Sequence, residues 1–547
     1  MQGVVVGQGN EPLPGVSVIV KGTTNGTITN NEGKFSINVP SNGILKFSYV
    51  GYNSQEVNVN GKDFLQIVMQ ENQKLLDEVV VVGYGVQKKS VVTAAISKVT
   101  SEELNEIKPS RIEDALKGKV SGVQITQSSG QPGSDSKVRI RGIGTVNDSD
   151  PLYIVDGMPV DGGINYLNPK DIQSVEILKD AASAAIYGAR GANGVVLVTT
   201  KTGEGGKFES KKPQISYDFN YGWQNPWKKR AVLNAKEYMV IMNESQINDG
   251  NIPRYNADMI ANAGVGTDWQ DEVFNYDAPV QNHQVSLSGN SDKVSYYLSM
   301  GYYNQEGIVG GNYGKSNYER WSIRTNSVYN AFEDKSRSFL NKLKVGVNVG
   351  YSKINSTGIE ANSEFGSILG CALSFNPRMP VYAPASSTDI DIQSIDAILA
   401  IQPNAVRDKN GNLFSTPQPG FQAIVNPVAM LNQPSADKNN GDKFVGSFWG
   451  ELDVLPGLKF KSSYGFDLSF AGSDGYVFPY FLGDQKYATI SSVSSEMSRG
   501  YKWQVENVFT YNNTFADSHN LTVVVGQSAQ KFSGRVLGGS DYNLLEN

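Results

Sequence analysis

The stretch Gln214-Ile-Ser-Tyr-Asp-Phe-Asn-Tyr-Gly-Trp223 decides the fold. Ile215, Tyr217, Phe219, Tyr221 and Trp223 recur at every second position, and Ser216, Asp218, Asn220 and Gly222 fill the places between. Period two is the repeat of an extended strand whose two faces meet different media. The pattern returns with Val294, Tyr296, Leu298, Met300 and Tyr302 opposite Ser295, Ser299 and Gly301, and with Leu343, Val345, Val347, Val349 and Tyr351 opposite Lys344, Gly346, Asn348 and Gly350. It returns again with Leu458, Phe460, Tyr464, Phe466, Leu468 and Phe470 opposite Lys459, Lys461 and Asp467. About nine such strands are expected, each near the length of about 10 residues that a tilted membrane strand needs.

The connections carry a second signal. Those at Gly289 to Lys293, Ala331 to Asn341, Leu455 to Leu458 and Asn513 to Asn520 are compact, whereas Pro226 to Asn282, Ile354 to Asp442 and Ala471 to Arg499 are long and fall on the other parity. Alternating short turns and long loops are the rule of an outer-membrane barrel. A sandwich or a stacked repeat has no reason to obey it. Aromatics near strand ends, Tyr221, Trp223 and Trp227, then Tyr302, Tyr303, Tyr318 and Trp321, suit an interfacial girdle, although any β-protein enriches tyrosine.

Composition agrees with a folded, mostly β chain. The 547 residues include 57 Gly and are 39% hydrophobic, so a packed structure is expected. A net charge of -6 with 19% charged residues leaves no footprint for nucleic acid. The single Cys371 rules out an intrachain disulfide framework and a multi-cysteine metal site. No apolar window approaches the roughly 18 residues of a spanning helix, and the mean hydropathy is -0.33. A barrel hides its apolar band in alternate positions, so that average does not exclude a membrane. Met1 leads straight into Gln-Gly-Val-Val-Val with no basic and apolar leader, so an exported protein would have its natural beginning elsewhere.

Upstream of the barrel-like region, 206–547, three segments are expected. Residues 1–72 read as a small β-sandwich with strands at Val16 to Val20, Lys34 to Val39, Ile44 to Tyr49 and Phe64 to Met69. Residues 73–89 form a linker around Leu76-Asp-Glu-Val-Val-Val-Val-Gly-Tyr-Gly-Val-Gln, either a buried strand or a tethered segment that a partner captures at a sheet edge. Residues 90–205 read as a compact α+β domain. It has a helix at Arg111 to Lys117, strands at Val138 to Arg141, Leu152 to Val155 and Val195 to Thr199, and an alanine-rich turn at Asp180 to Tyr187.

The enzyme readings are weak. Gly188-x-x-Gly191-x-x-Gly194 follows a helix and precedes a strand, the reverse of a dinucleotide loop, so these are turn glycines. Gly310-x-x-x-Gly314-Lys-Ser is one residue short of a phosphate loop. His283 and His519 read as strand-end residues, and with no His-Glu-x-x-His the hydrolytic and metal constellations are not assembled. Arg139 and Arg141 alternate on a strand and share a face, from which they could reach wall carboxylates such as Asp218 or Asp467, as a latch or as an ordinary solvated salt bridge.

These residues resemble the SusC-like branch of TonB-dependent outer-membrane transporters along the whole chain. Gly15-Val-Ser-Val-Ile-Val-Lys-Gly-Thr-Thr followed by Asn31-Glu-Gly-Lys-Phe-Ser-Ile is similar to the carboxypeptidase-regulatory-like, transthyretin-type domain, a non-catalytic appendage. Asp77, Glu78, Val79, Val80, Val81, Val82, Gly83 and Tyr84 resemble a TonB box. Val138-Arg-Ile-Arg-Gly-Ile-Gly, Pro151-Leu-Tyr-Ile-Val-Asp-Gly-Met-Pro-Val and Leu178-Lys-Asp-Ala-Ala-Ser-Ala-Ala-Ile-Tyr-Gly-Ala-Arg-Gly-Ala-Asn-Gly-Val-Val resemble the plug. Their motif residues are Arg139, Arg141, Gly142, Asp156, Gly157, Tyr187, Gly188, Arg190, Gly191 and Gly194.

The resemblance implies a plug inside a barrel of about 22 strands. About nine strands close no such barrel, so the sequence is expected to be an N-terminal piece that breaks off after Asn547. It further implies import across the outer membrane without catalysis or cofactor, with TonB and its inner-membrane motor proteins, a SusD-like lid lipoprotein and outer-membrane lipid as partners. Glycans lead as cargo, with oligopeptides second; a surface receptor without transport is the remaining alternative.

Overall fold

The computed structural model describes residues 1–7, 11–21, 23, 25–40, 43–49, 52, 54–70, 79–82, 85–88, 96–106, 111–203, 211–334, 336–417, 423–515 and 519–544. It divides into two units, Met1–Ala95 and Ile96–Asn547.

In the first unit, Gln2–Val6 lies between Lys34–Ser36 and Phe64–Val68, and a second sheet runs Gly26–Ile28, Ser17–Val20, Ile44–Ser48 and Gln55–Asn58. Alternate residues face inward: Val18 and Val20 are buried while Ile19 is exposed. Val5, Val16, Leu45, Phe47 and Met69 complete the core between the sheets. Val79–Val82 pairs antiparallel with Gly85–Lys88. Of the TonB-box residues, Asp77, Glu78, Gly83 and Tyr84 lie outside the described residues.

The second unit opens with the α+β domain. Five strands stand in the order Ile96–Thr100, Ile172–Leu178, Val195–Thr200, Leu152–Val155 and Met158–Val160. A separate hairpin pairs Val123–Gln127 with Ser136–Ile140, and the short helix Ile112–Leu116 packs beside it. Val175, Ile177, Val196, Val198, Ile112 and Leu104 form the core, each worth roughly 1.5–3 kcal/mol of apolar burial.

The alternating segments form one antiparallel sheet of nine strands in chain order: Lys211–Gln224, Ala278–Asn290, Val294–Glu306, Asn317–Glu333, Lys342–Thr357, Ser435–Leu455, Leu458–Val477, Ser492–Phe515 and His519–Tyr542. This is the wall. The strands run from 13 to 24 residues, longer than expected, because the ladders continue beyond the apolar stretch. On one face Ile215, Tyr217, Phe219, Met300 and Phe448 are exposed; on the other Ser295, Ser299, Arg320, Arg324, Asn326, Asn348 and Ser352 are buried. Apolar groups outside and polar groups inside are the arrangement of a membrane barrel. The first and last strands each have a single neighbour in the sheet.

Two expectations need correction. Tyr303 and Tyr318 are inside the wall, where their rings pack 6.1 Å apart, so they do not belong to an outer girdle; Tyr302 and Trp321, with ring centres 4.5 Å apart and planes tilted by 46°, do face outward. One residue of parity separates the two pairs. His283 stands in mid-strand, not at an end, with Nδ1 2.9 Å from the Tyr217 hydroxyl across the first strand pair.

The long connections are folded in their own right. They contain the helices Ala235–Asn248, Ala257–Asn262, Trp269–Val273, Ile368–Ser374, Ile395–Ile401 and Pro427–Asn432, most started by an Asn, Asp or Ser side chain accepting a backbone N–H. Trp269, Val273, Phe375, Met379, Val425 and Leu431 give these loops a core of their own.

Candidate functional site

The α+β domain is held against the polar inner face of the wall, and the Asp156-Gly157 turn is the centre of that contact. Val155 and Met158 pair across it, with φ of +48° at Asp156 and +89° at Gly157. Two consecutive positive φ angles define the tight hairpin turn that Asp-Gly favours. The turn aims the Asp156 carboxylate outward. It accepts from the Thr200 backbone N–H at 2.9 Å and hydroxyl at 2.8 Å within its own domain, then from Arg324 Nη2 at 2.5 Å and Asn348 Nδ2 on the wall. Arg324 is 4% exposed and also donates to Asn348 Oδ1 at 2.7 Å. Asn326 Nδ2 reaches the Thr200 hydroxyl at 3.2 Å.

Other acidic groups of the domain repeat the motif. Lys502 Nζ lies 2.9 Å from both Asp161 oxygens, and Lys443 Nζ donates to the Asp161 carbonyl at 2.9 Å. Asp171 accepts from Gln284 at 2.5 Å and from the Tyr297 hydroxyl at 2.9 Å. Lys170 pairs with Asp218 at 3.1 Å, and Arg190 donates to Gln530 at 3.0 Å. Contacts to plug carbonyls add Ser352 Oγ on Tyr166 and Arg320 Nη1 on Asn165, each at 2.7 Å.

The wall contacts considered for Arg139 and Arg141 are not formed. Arg139 pairs with Asp150 inside its own domain, and Arg141 at φ +56° ends the strand with its N–H on Gly122, so neither reaches Asp218 or Asp467. Asp218 is taken by Lys170 and Asp467 by Lys443 at 3.3 Å. Arg324, Lys502 and Asn348 were the residues missed; their signal was charge and amide at inward parity in wall strands. Gly142 continues the Arg141 turn at φ +92°. Tyr187 is half-buried beside Gly188, whose backbone breaks the helical run. Gly191 is buried, and Gly194, at φ +91°, sits where a Cβ would stand 2.7 Å from Ile140 Cδ1.

At the long-loop end the domain makes a second junction. Gln131 Nε2 donates to the Ile359 carbonyl at 2.5 Å and its Oε1 accepts from the Ile359 N–H at 2.9 Å, while Asn362 Nδ2 donates to the Ser128 carbonyl at 2.9 Å. Among the described residues no three His, Cys, Asp or Glu side chains are grouped to hold a metal ion. Cys371 is buried in the loop core.

A lipid-facing sheet with a polar interior against which a separate domain is pinned defines a plugged β-barrel of the outer membrane. Residues 88–195 match the TonB-dependent Receptor Plug Domain, and residues 1–81 the CarboxypepD_reg-like domain. TonB-dependent receptor P26 of Formosa agariphila is 34% identical over 100% of this chain and 50% of its own length. TonB-dependent receptor SusC of Bacteroides thetaiotaomicron is 31% identical over 97% of this chain and 50% of its own. In fold, the RagAB peptide importer in its open-open state superposes with a TM-score of 0.67 at 24% identity, over 85% of this chain and 50% of that one. Along its whole length the chain is similar to TonB-dependent receptors of SusC type, which are outer-membrane β-barrels, and it spans about half the length of the curated relatives it matches.

Proposed function

We propose that the protein imports nutrient oligomers across the outer membrane, its plug displaced by force that TonB delivers from the inner membrane. The observation that carries this reading is the seat of the plug. A whole folded domain blocks the inner face of the wall, held by polar pins around Asp156, Asp161 and Asp171, with Val445 and Ile354 of the wall packed on its apolar core. Polar pins are specific yet separable, because each group released finds water. An adhesin needs no such removable domain.

The handle is the segment Asp77 to Tyr84, which TonB captures as an added strand whose backbone hydrogen bonds supply the affinity. The wall completes itself with further strands, since open edges are not tolerated in lipid, giving the barrel of about 22 strands. A SusD-like lipoprotein closes the long-loop side, and glycans and oligopeptides are the cargo classes in view. Deleting Leu76 to Gly85 is expected to abolish uptake while membrane insertion and ligand binding persist. Undiminished uptake by the deletion variant would refute the proposal.

A further inference from the structure

A pocket of about 310 Å³ lies where residues 129–132 of the plug meet two wall loops. Ile308, Val309, Ile359, Leu369 and Leu373 make its interior aliphatic. Leu369 and Leu373, four apart on the helix Ile368–Ser374, are 41% and 42% exposed, whereas Ile368, Cys371 and Ala372 are buried in the loop core. Two leucines turned away from that core into a concave pocket are apolar area waiting for a ligand. No aromatic ring is among the lining residues, so the flat platform on which a sugar face stacks is missing here. Exposed Glu360 also lines the pocket, and its carboxylate makes no ion pair among the described residues. The buried hydroxyl of Ser316, another lining residue, has no hydrogen-bond partner among the described residues.

We propose, building on the import reading, that this pocket takes the first residue of a short peptide, a branched aliphatic side chain among the leucines with its α-ammonium at Glu360. Capture of a terminal amine beside an apolar pocket fits this lining, and a neutral oligosaccharide satisfies neither feature. On this inference oligopeptides rank ahead of glycans as cargo. Gln131 lines the same pocket and holds both backbone polar groups of Ile359, so a ligand pressing on Ile359 bears directly on the plug.

The test titrates the purified full-length protein in detergent with the tripeptide Leu-Gly-Gly, its N-acetyl derivative, Asp-Gly-Gly and maltotriose. Leu-Gly-Gly is expected to bind best, with about threefold loss on acetylation and a matching loss in Glu360→Gln, the size of an exposed ion pair. Leu373→Trp, whose bulk fills the pocket, is expected to weaken Leu-Gly-Gly at least about tenfold. A circular dichroism spectrum and melting point like those of the parent certify the fold of each variant. Maltotriose bound as tightly as Leu-Gly-Gly, Leu-Gly-Gly unaffected by Leu373→Trp, or no binding of Leu-Gly-Gly would each overturn the inference. Failure of the import reading looks different: peptide binding sensitive to Leu373→Trp, together with uptake indifferent to loss of Leu76 to Gly85.

Discussion

At the scale of single residues, Asp156 does two jobs that the sequence shows unequally. Asp-Gly between two short apolar runs announces a hairpin turn. Its pairing with Arg324 was not legible, because 168 residues separate them and Arg324 reads as one more polar group in an alternating strand. Asp156→Ala leaves Arg324 buried with its main acceptor gone, and such a loss costs about 3–5 kcal/mol. The plug of that variant is expected to unfold in urea well before the wall, followed by amide hydrogen exchange; an unchanged plug midpoint would contradict the pairing. Glu113 offers a pH test. Burial pushes its carboxyl above the usual range, while Arg111, at 3.7 Å, pulls the other way. The native plug therefore holds this proton more tightly than the unfolded chain does. The resulting stability is present below the ordinary carboxylate range and lost as pH rises through the raised value. Plug resistance to urea is expected to be higher at pH 5 than at pH 8, and Glu113→Gln to level the difference.

At the scale of elements, the wall was the most legible part, because lipid and an enclosed interior impose opposite demands on successive side chains. Met300 and Ser299 show the contrast, one half exposed on the outer face and the other buried against the interior. Met300→Arg, a charge placed toward lipid, is expected to cost roughly 2–4 kcal/mol of folding into vesicles if it sits near the bilayer midplane. Folding equal to the parent's would mean that this face does not meet lipid. The loops were the least legible. Trp269, Phe375 and Val425 build a core from segments far apart in sequence, and no local period reports such packing. The plug lies between these extremes: its strands announce themselves by β-branched runs such as Val195–Thr200, but the need for glycine at position 194 appears only with Ile140 beside it. Gly194→Val combines a positive φ with a blocked Cβ, and is expected to lower the plug's urea midpoint by the equivalent of about 1–3 kcal/mol.

At the scale of the whole molecule, one proposition connects the parts: the plug rests on the wall through separable polar pins and must leave that seat for cargo to pass. The most direct measurement joins plug to wall. In a Cys371→Ser background, Asp161→Cys and Lys502→Cys replace an ion pair seen at 2.9 Å and are linked by a short, reducible bifunctional thiol reagent. The linked protein is expected to bind ligand yet import nothing, with uptake restored on reduction. Uptake by the fully linked protein at the rate of the reduced one would contradict the proposition.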